Sequence, residues 1–125
     1  MSSPALTQND IARLDQQLNE AVLRGEIMAA FEQFYAENVV MQENNAPPTS
    51  GKAENRKREQ DFVNSVEQFH GARLLSSAVN GDLSFSEWEL DATYKGAGRV
   101  LLSQVAVRRW RDGKVISERF YYNKG

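Results

Sequence analysis

The C-terminal part of the chain constrains the fold most. From Ala72 onward, four β-rich runs, ARLLSSAVN, DLSFSEWELDATY, RVLLSQVAVRRW and KVISERFYYN, are separated only by GD, KGAG and RDG. Runs of β-branched and aromatic residues cut by such short turns form consecutive antiparallel hairpins, because parallel neighbours need a long crossover between them. These strands are too long and too mixed in polarity to lie flat in water. The sheet is therefore expected to curve around whatever precedes it.

What precedes it reads as helix. LTQNDIARLDQQLNEAVLRGE sets Ile11, Leu14, Leu18, Ala21 and Val22 on one stripe, with Thr7 or Asn9 as cap and Gly25 as stop. EIMAAFEQFYAEN places Ile27, Phe31, Phe34 and Tyr35 on one face. VVMQE reads as a strand and NNAPPTSG as a loop. A third helix from near Lys52 is expected to carry Phe62, Val63, Val66 and Phe69 as its core face and to end at His70–Gly71. Helices first and a meander after them give an α+β layout, with three N-terminal helices packed in the concavity of a strongly curved antiparallel β-sheet. A chain of 125 residues is long enough for one such domain with its own core, spanning 1–125.

Turn chemistry then assigns faces. WRDGK fits a three-residue hairpin loop with Gly113 in the left-handed bulge position, which pairs Trp110 with Lys114 and Ala106 with Glu118. A GAG loop of the same length pairs Lys95 with Arg99 and sets Trp88 opposite Ala106. One face then carries Trp88, Leu90, Leu102, Gln104, Ala106, Trp110, Ile116, Glu118, Phe120 and Tyr122, and is expected to line the inside. The other carries Glu87, Glu89, Val105, Val107, Arg109, Arg119 and Tyr121. An apolar centre with a charged rim is how a contact between two copies reads, so a homodimer through this outer face is expected. A slip of one residue in either turn would exchange the two faces along one strand.

Composition removes several chemistries. There is no cysteine and one histidine, His70. Disulfides, thiolate nucleophiles, thiolate-held metals and multi-histidine metal sites are excluded, and no metal or cofactor is expected. The formal net charge is −2, and the one dense basic run, KAENRKR, is broken by Glu54. Nucleic acid is therefore not the expected partner. No apolar run approaches the length of a membrane span and no signal-peptide core is visible. A cytoplasmic protein that does not engage membranes is the default expectation.

The segments FYAENVVMQENNAPPTSGKA, FVNSVEQF, EWELDATYKGAGRVLLSQVAV and WRDGKVISERFYYN, in this order, resemble the SnoaL-like branch of the nuclear transport factor 2-like superfamily, over roughly residues 7 to 123. The resemblance implies a cone with an open pocket, commonly dimeric through its sheet. It also implies a wide choice of functions, from isomerases, cyclases, dehydratases and epoxide hydrolases to pure binding proteins. In the ketosteroid isomerase pattern the proton-shuttling acid before the Pro/Gly loop falls on Glu43. The two oxyanion donors fall at or near Leu18 and on Ala106, neither of which can donate. The epoxide hydrolase pattern implies an Asp–Arg–Asp relay, which has no evident counterpart in the sequence.

Glu43 and Glu118 are therefore the candidate catalytic acids. Glu43 would need an apolar wall, to which Met41 contributes. Glu118 faces inward, diagonal to Arg108, and reads equally as a catalytic acid and as half of a structural ion pair. Tyr35, Met41, Phe62, Phe69, Trp88, Gln104, Ala106, Arg108, Trp110, Phe120 and Tyr122 are the candidate lining of a pocket for a small apolar organic ligand. His70 reads as structural, at a helix C-terminus. A cofactor-free acid–base enzyme and a non-catalytic binding or association module both remain open.

Overall fold

The computed structural model describes residues 6–123. Three helices, α1 (Gln8–Leu23), α2 (Ile27–Phe34) and α3 (Lys52–Ser65), pack against a curved sheet of six strands. These are β1 (Tyr35–Glu43), β2 (Thr49–Ser50), β3 (Val66–Asn80), β4 (Leu83–Tyr94), β5 (Gly98–Arg111) and β6 (Lys114–Tyr122). Their order across the sheet is β2-β1-β6-β5-β4-β3. The sheet is mixed rather than wholly antiparallel, because β1 runs parallel to β6. A chain that enters the sheet once before the meander and returns through α3 reaches the far side of β6 in that direction.

Helix α1 opens on a full capping box. Thr7 Oγ1 accepts from the Asp10 amide at 3.1 Å and Asp10 returns the bond to the Thr7 amide at 2.9 Å. The expected stripe is present, with Ile11, Leu18 and Ala21 buried and Leu14 and Val22 packed against the same core. Phe31, Phe34 and Tyr35 of α2 and β1 continue it, and Val39, Met41, Trp110 and Val115 complete it from the sheet.

Helix α3 ends earlier than the sequence indicated. Its last residue is Ser65, and Val66 already has extended geometry with φ −79° and ψ 115°. Val66, Phe69 and His70 thus belong to β3. Pairing with β4 over most of the length of β3 outweighs one further helical turn. His70 does not sit at a helix end: its ring Nε2 lies 2.8 Å from Thr93 Oγ1 on β4.

Both hairpins differ from the expected register by two residues, which preserves the faces. The β4–β5 loop is Lys95–Ala97, with Tyr94 opposite Gly98 and Trp88 opposite Gln104. The β5–β6 loop is only Asp112–Gly113, both with positive φ (52° and 80°), the signature of a type I′ turn. An irregularity follows: Trp110 pairs with Val115, but Arg109 pairs with Ser117, so Ile116 is surplus. Val115 rather than Ile116 is therefore the inward residue beside the turn, and it is fully buried.

The inner face can now be read as rungs running across the strands. Ser84, Arg108, Glu118 and Met41 form one rung, Ser86, Ala106, Phe120 and Glu43 the next, and Trp88, Gln104 and Tyr122 the third. Along β5 the inner residues pass from buried Arg108 and Ala106 to partly exposed Gln104 and Leu102, so the concavity opens away from the Arg108 rung.

Candidate functional site

Between the inner face and the helices lies a cavity of about 630 Å³. That is within the range that accommodates a small organic molecule. Its wall is mostly apolar: Leu18, Phe31, Met41, Phe62, Phe69, Trp88 and Phe120 all contribute. Of the candidate lining residues, Tyr35, Gln104, Arg108 and Tyr122 reach it as well, but Ala106 and Trp110 do not. Ala106 is buried in the sheet, and Trp110 is core, its indole N–H donating to Ser84 Oγ at 2.9 Å. The small side chain at position 106 therefore does not by itself enlarge the hollow.

The closed end is a buried polar network. Arg108 donates from Nε to Glu118 Oε2 at 2.6 Å, and from Nη1 to Asp15 Oδ1 at 2.8 Å and Asn19 Oδ1 at 2.7 Å. Tyr35 donates its phenolic proton to Glu118 Oε1 at 2.6 Å, in the short range of charge-assisted bonds. Ser84 donates to Asp15 Oδ1 at 2.7 Å and Asn19 Nδ2 to Asp15 Oδ2 at 3.2 Å. Burial opposes the charge of Arg108, but Glu118, Tyr35 and Asp15 together outweigh it and raise its pKa. Burial, then the charge of Glu118, pushes the Tyr35 phenol well above the ordinary tyrosine value. No buried side-chain nitrogen or oxygen among the described residues lacks a partner.

Glu118 is thus where the sequence placed it, inward and on the cavity wall, but both its oxygens are held. The shift of two residues makes Arg108 its direct cross-strand partner rather than a diagonal neighbour. Glu43 stands at the mouth. Its side chain is 46% exposed, and its carboxylate pairs with Arg58 at 3.3 Å. The Asn44 backbone beside it, at φ 49°, is fastened to β6 through Asn44 N–H to the Phe120 carbonyl at 2.8 Å.

Two functional candidates, one a pair of residues and the other a single acid, escaped the sequence reading. Asp15 and Asn19 were hidden inside the α1 stripe. Together with Arg108 and Glu118 they build a carboxylate–arginine–carboxylate bridge in which Arg108 and Glu118 face the cavity, while Asp15 and Asn19 face a cleft on the other side of α1. The second candidate is Glu59, on the α3 wall. It is partly buried, and no hydrogen bond or ion pair to its carboxylate is seen among the described residues. Burial, then the nearby charges of Glu118 and Glu43, raises its pKa from the ordinary 4.5 to about 7. The spacing Asn55, Glu59, Phe62, Val63 was the available signal, one helical face joining a clamp, an acid and two apolar residues.

No three His, Asp or Glu side chains among the described residues group closely enough to hold a metal ion. No helix of the described chain is long and apolar enough to cross a membrane.

A curved sheet closed by helices over one apolar hollow, with acids at its polar end, defines a cone-type pocket protein. Residues 6–122 match the SnoaL-like domain, and the chain belongs to that family. A candidate SnoaL-like polyketide cyclase from Mesorhizobium loti shares 29% identity with it, over 90% of this chain and 98% of that one, with a TM-score of 0.81. A candidate polyketide cyclase from Xanthomonas campestris pv. campestris aligns over 93% and 92% of the two chains at 23% identity and TM-score 0.75. An LEH-like epoxide hydrolase from M. tuberculosis has the same fold at 16% identity and TM-score 0.75, covering 93% of this chain and 84% of its own. Comparison with functionally curated proteins finds no match.

Proposed function

We propose that this protein binds a small, mostly apolar organic molecule in the cavity and moves a proton on it without a cofactor, in an isomerisation, cyclisation or dehydration. The observation that carries this reading is Glu59, an unpartnered carboxyl group in an apolar wall, with a pKa raised to about 7. A proton carrier works best when its pKa lies near the working pH. Glu118 and Glu43, the acids first considered, are each engaged by an arginine. In this reading they act on Glu59 through their charge, while Glu59 touches the substrate.

Arg108 fills the role that Leu18 and Ala106 cannot. It lines the cavity, and its Nη2 donates none of the hydrogen bonds described. A carbonyl or hydroxyl oxygen of the ligand can accept from it. Asp15 and Asn19 hold the guanidinium in place, which is the preorganisation that stabilises developing charge.

The test uses deuterium. A ketone that binds the protein, found by thermal-shift screening, is incubated in D2O and its α-protons are followed by NMR. Exchange that is protein-dependent and falls by about 10²–10⁴-fold in Glu59→Gln supports the reading. Binding without exchange across the compounds that bind would leave the non-catalytic reading in its place.

The outer face supports a homodimer. Val105 and Tyr121 are exposed there at 36% and 43%, with acidic Glu87 and Glu89 on β4 and basic Arg109 and Arg119 on β5 and β6. A two-fold axis running along the strands through the apolar centre sets each acidic edge against a basic one. Sedimentation at micromolar concentration is expected to show a dimer that Val105→Glu converts to monomer. A monomeric parent protein would refute the assembly.

A further inference from the structure

We propose that the cavity selects its ligand by charge, accepting an apolar molecule with a protonated amine and rejecting one with a carboxylate. This inference rests on the binding reading above and names the ligand class of the same site. The charged side chains that line the hollow are Glu43, Arg58, Glu59, Glu67, Arg108 and Glu118. The two arginines suggest an anion site at first sight, but both are matched. Arg58 pairs with Glu43 at 3.3 Å. Arg108, only 3% exposed, is bracketed by Glu118 at 2.6 Å and Asp15 at 2.8 Å, so two carboxyl groups already share the one guanidinium.

Glu59 then adds a carboxyl group with no countercharge of its own. Phe62 stands one helical turn along the same wall, and the rings of Tyr35 and Phe31, which also line the hollow, meet tilted at 5.0 Å between centroids. An acid without a partner in a cavity that also carries Phe31, Tyr35 and Phe62 suits an organic cation, which gains from both a carboxylate and ring quadrupoles. A carboxylate in the same place would meet Glu59 and Glu118 with no unmatched cation, inside a wall that screens charge poorly.

The amine and the proton transfer are compatible. An ammonium group beside Glu59 favours its ionised form, the form that can accept a proton from carbon. Arg108 Nη2 is still available to a neutral oxygen on the same molecule. The phenols of Tyr35, beside Glu118, and Tyr122, beside Glu43, line the hollow too, and both have pKa values raised by burial and by those carboxylates, so they add no negative charge near neutrality.

The experiment uses the full chain and three probes with one skeleton: naphthylethylamine, naphthylethanol and naphthylacetate. Affinities are read at about pH 8 by tryptophan fluorescence, with Trp88 in the wall as reporter. The amine is expected to bind at least about tenfold more tightly than the acid, with the alcohol between them. Glu59→Gln is expected to shrink that ratio to a few-fold. Arg58→Gln, which unmatches Glu43 at the exposed mouth, is expected to widen it, so the proposal does not depend on a single variant. Circular dichroism confirms that each variant is folded. Equal or tighter binding of the acid overturns the charge selection and leaves the pocket reading standing. Failure of all three probes to bind removes the pocket reading, and this proposal with it.

Discussion

The two ends of the cavity handle buried charge in opposite ways. At the closed end Asp15, Arg108, Glu118 and Tyr35 are each 7% exposed or less, and every carboxylate oxygen is met by a donor. On the α3 wall Glu59 is less deeply buried, yet it accepts no described hydrogen bond, and its proton is held by desolvation and then by the nearby charges of Glu118 and Glu43. The first arrangement fixes a shape. The second keeps a group reactive, because a carboxyl group without partners can change its protonation state without breaking anything. Partnering, more than depth, decides which acid is free to do chemistry.

The largest expected effect tests the closed end. Arg108→Met leaves Asp15 and Glu118 buried without a cation, and urea denaturation is expected to show a loss of about 3–5 kcal/mol. A loss below about 1 kcal/mol would mean that water already reaches this end. Tyr35→Phe removes one charge-assisted bond to Glu118 and is expected to cost about 1.5–3 kcal/mol by the same measurement.

Glu59 is expected to behave in the opposite sense. Its folded pKa, about 7, lies above the ordinary 4.5. The native state therefore holds more protons than the unfolded chain between those values, and stability falls as pH rises through that window. Glu59→Gln is expected to flatten this fall and to stabilise the protein by about 1–2 kcal/mol at about pH 8, allowing for partial exposure. A variant less stable than the parent at that pH would place Glu59 among the structural acids. Arg58→Gln, at the exposed mouth, is expected to change stability by no more than about 1 kcal/mol.

The sequence showed the architecture and the inward face more clearly than the site. Trp88, Gln104, Glu118 and Phe120 were placed on the correct face although both hairpin registers were off by two, because side-chain alternation has a period of two. Arg108 and Glu118 were identified, but not as directly opposed, since the type I′ turn and the surplus Ile116 were read as one longer loop. Asp15 was missed because an acid inside an apolar stripe shows its purpose only when the strand bearing its partner is in place. Helix α3 was the least legible element. Its sequence, KAENRKREQDFVNS, has no apolar stripe, and its position depends on long-range clamps. Asn55 Nδ2 reaches the Val39 carbonyl on β1 at 3.2 Å, and buried Lys52 Nζ reaches that of Glu32 at 2.9 Å. No local pattern announces such bonds.

The surplus residue in β6 has an evolutionary consequence. Upstream of Ile116 the strand is in one phase with β5, and downstream it is in the other. Losing the Ile116 codon would remove the surplus residue and leave Ser117 opposite Arg109 and Glu118 opposite Arg108, with Glu118 still turned into the hollow. A shell of this kind can thus gain or lose a bulge beside its turn by an indel while the residues that line its hollow keep their faces.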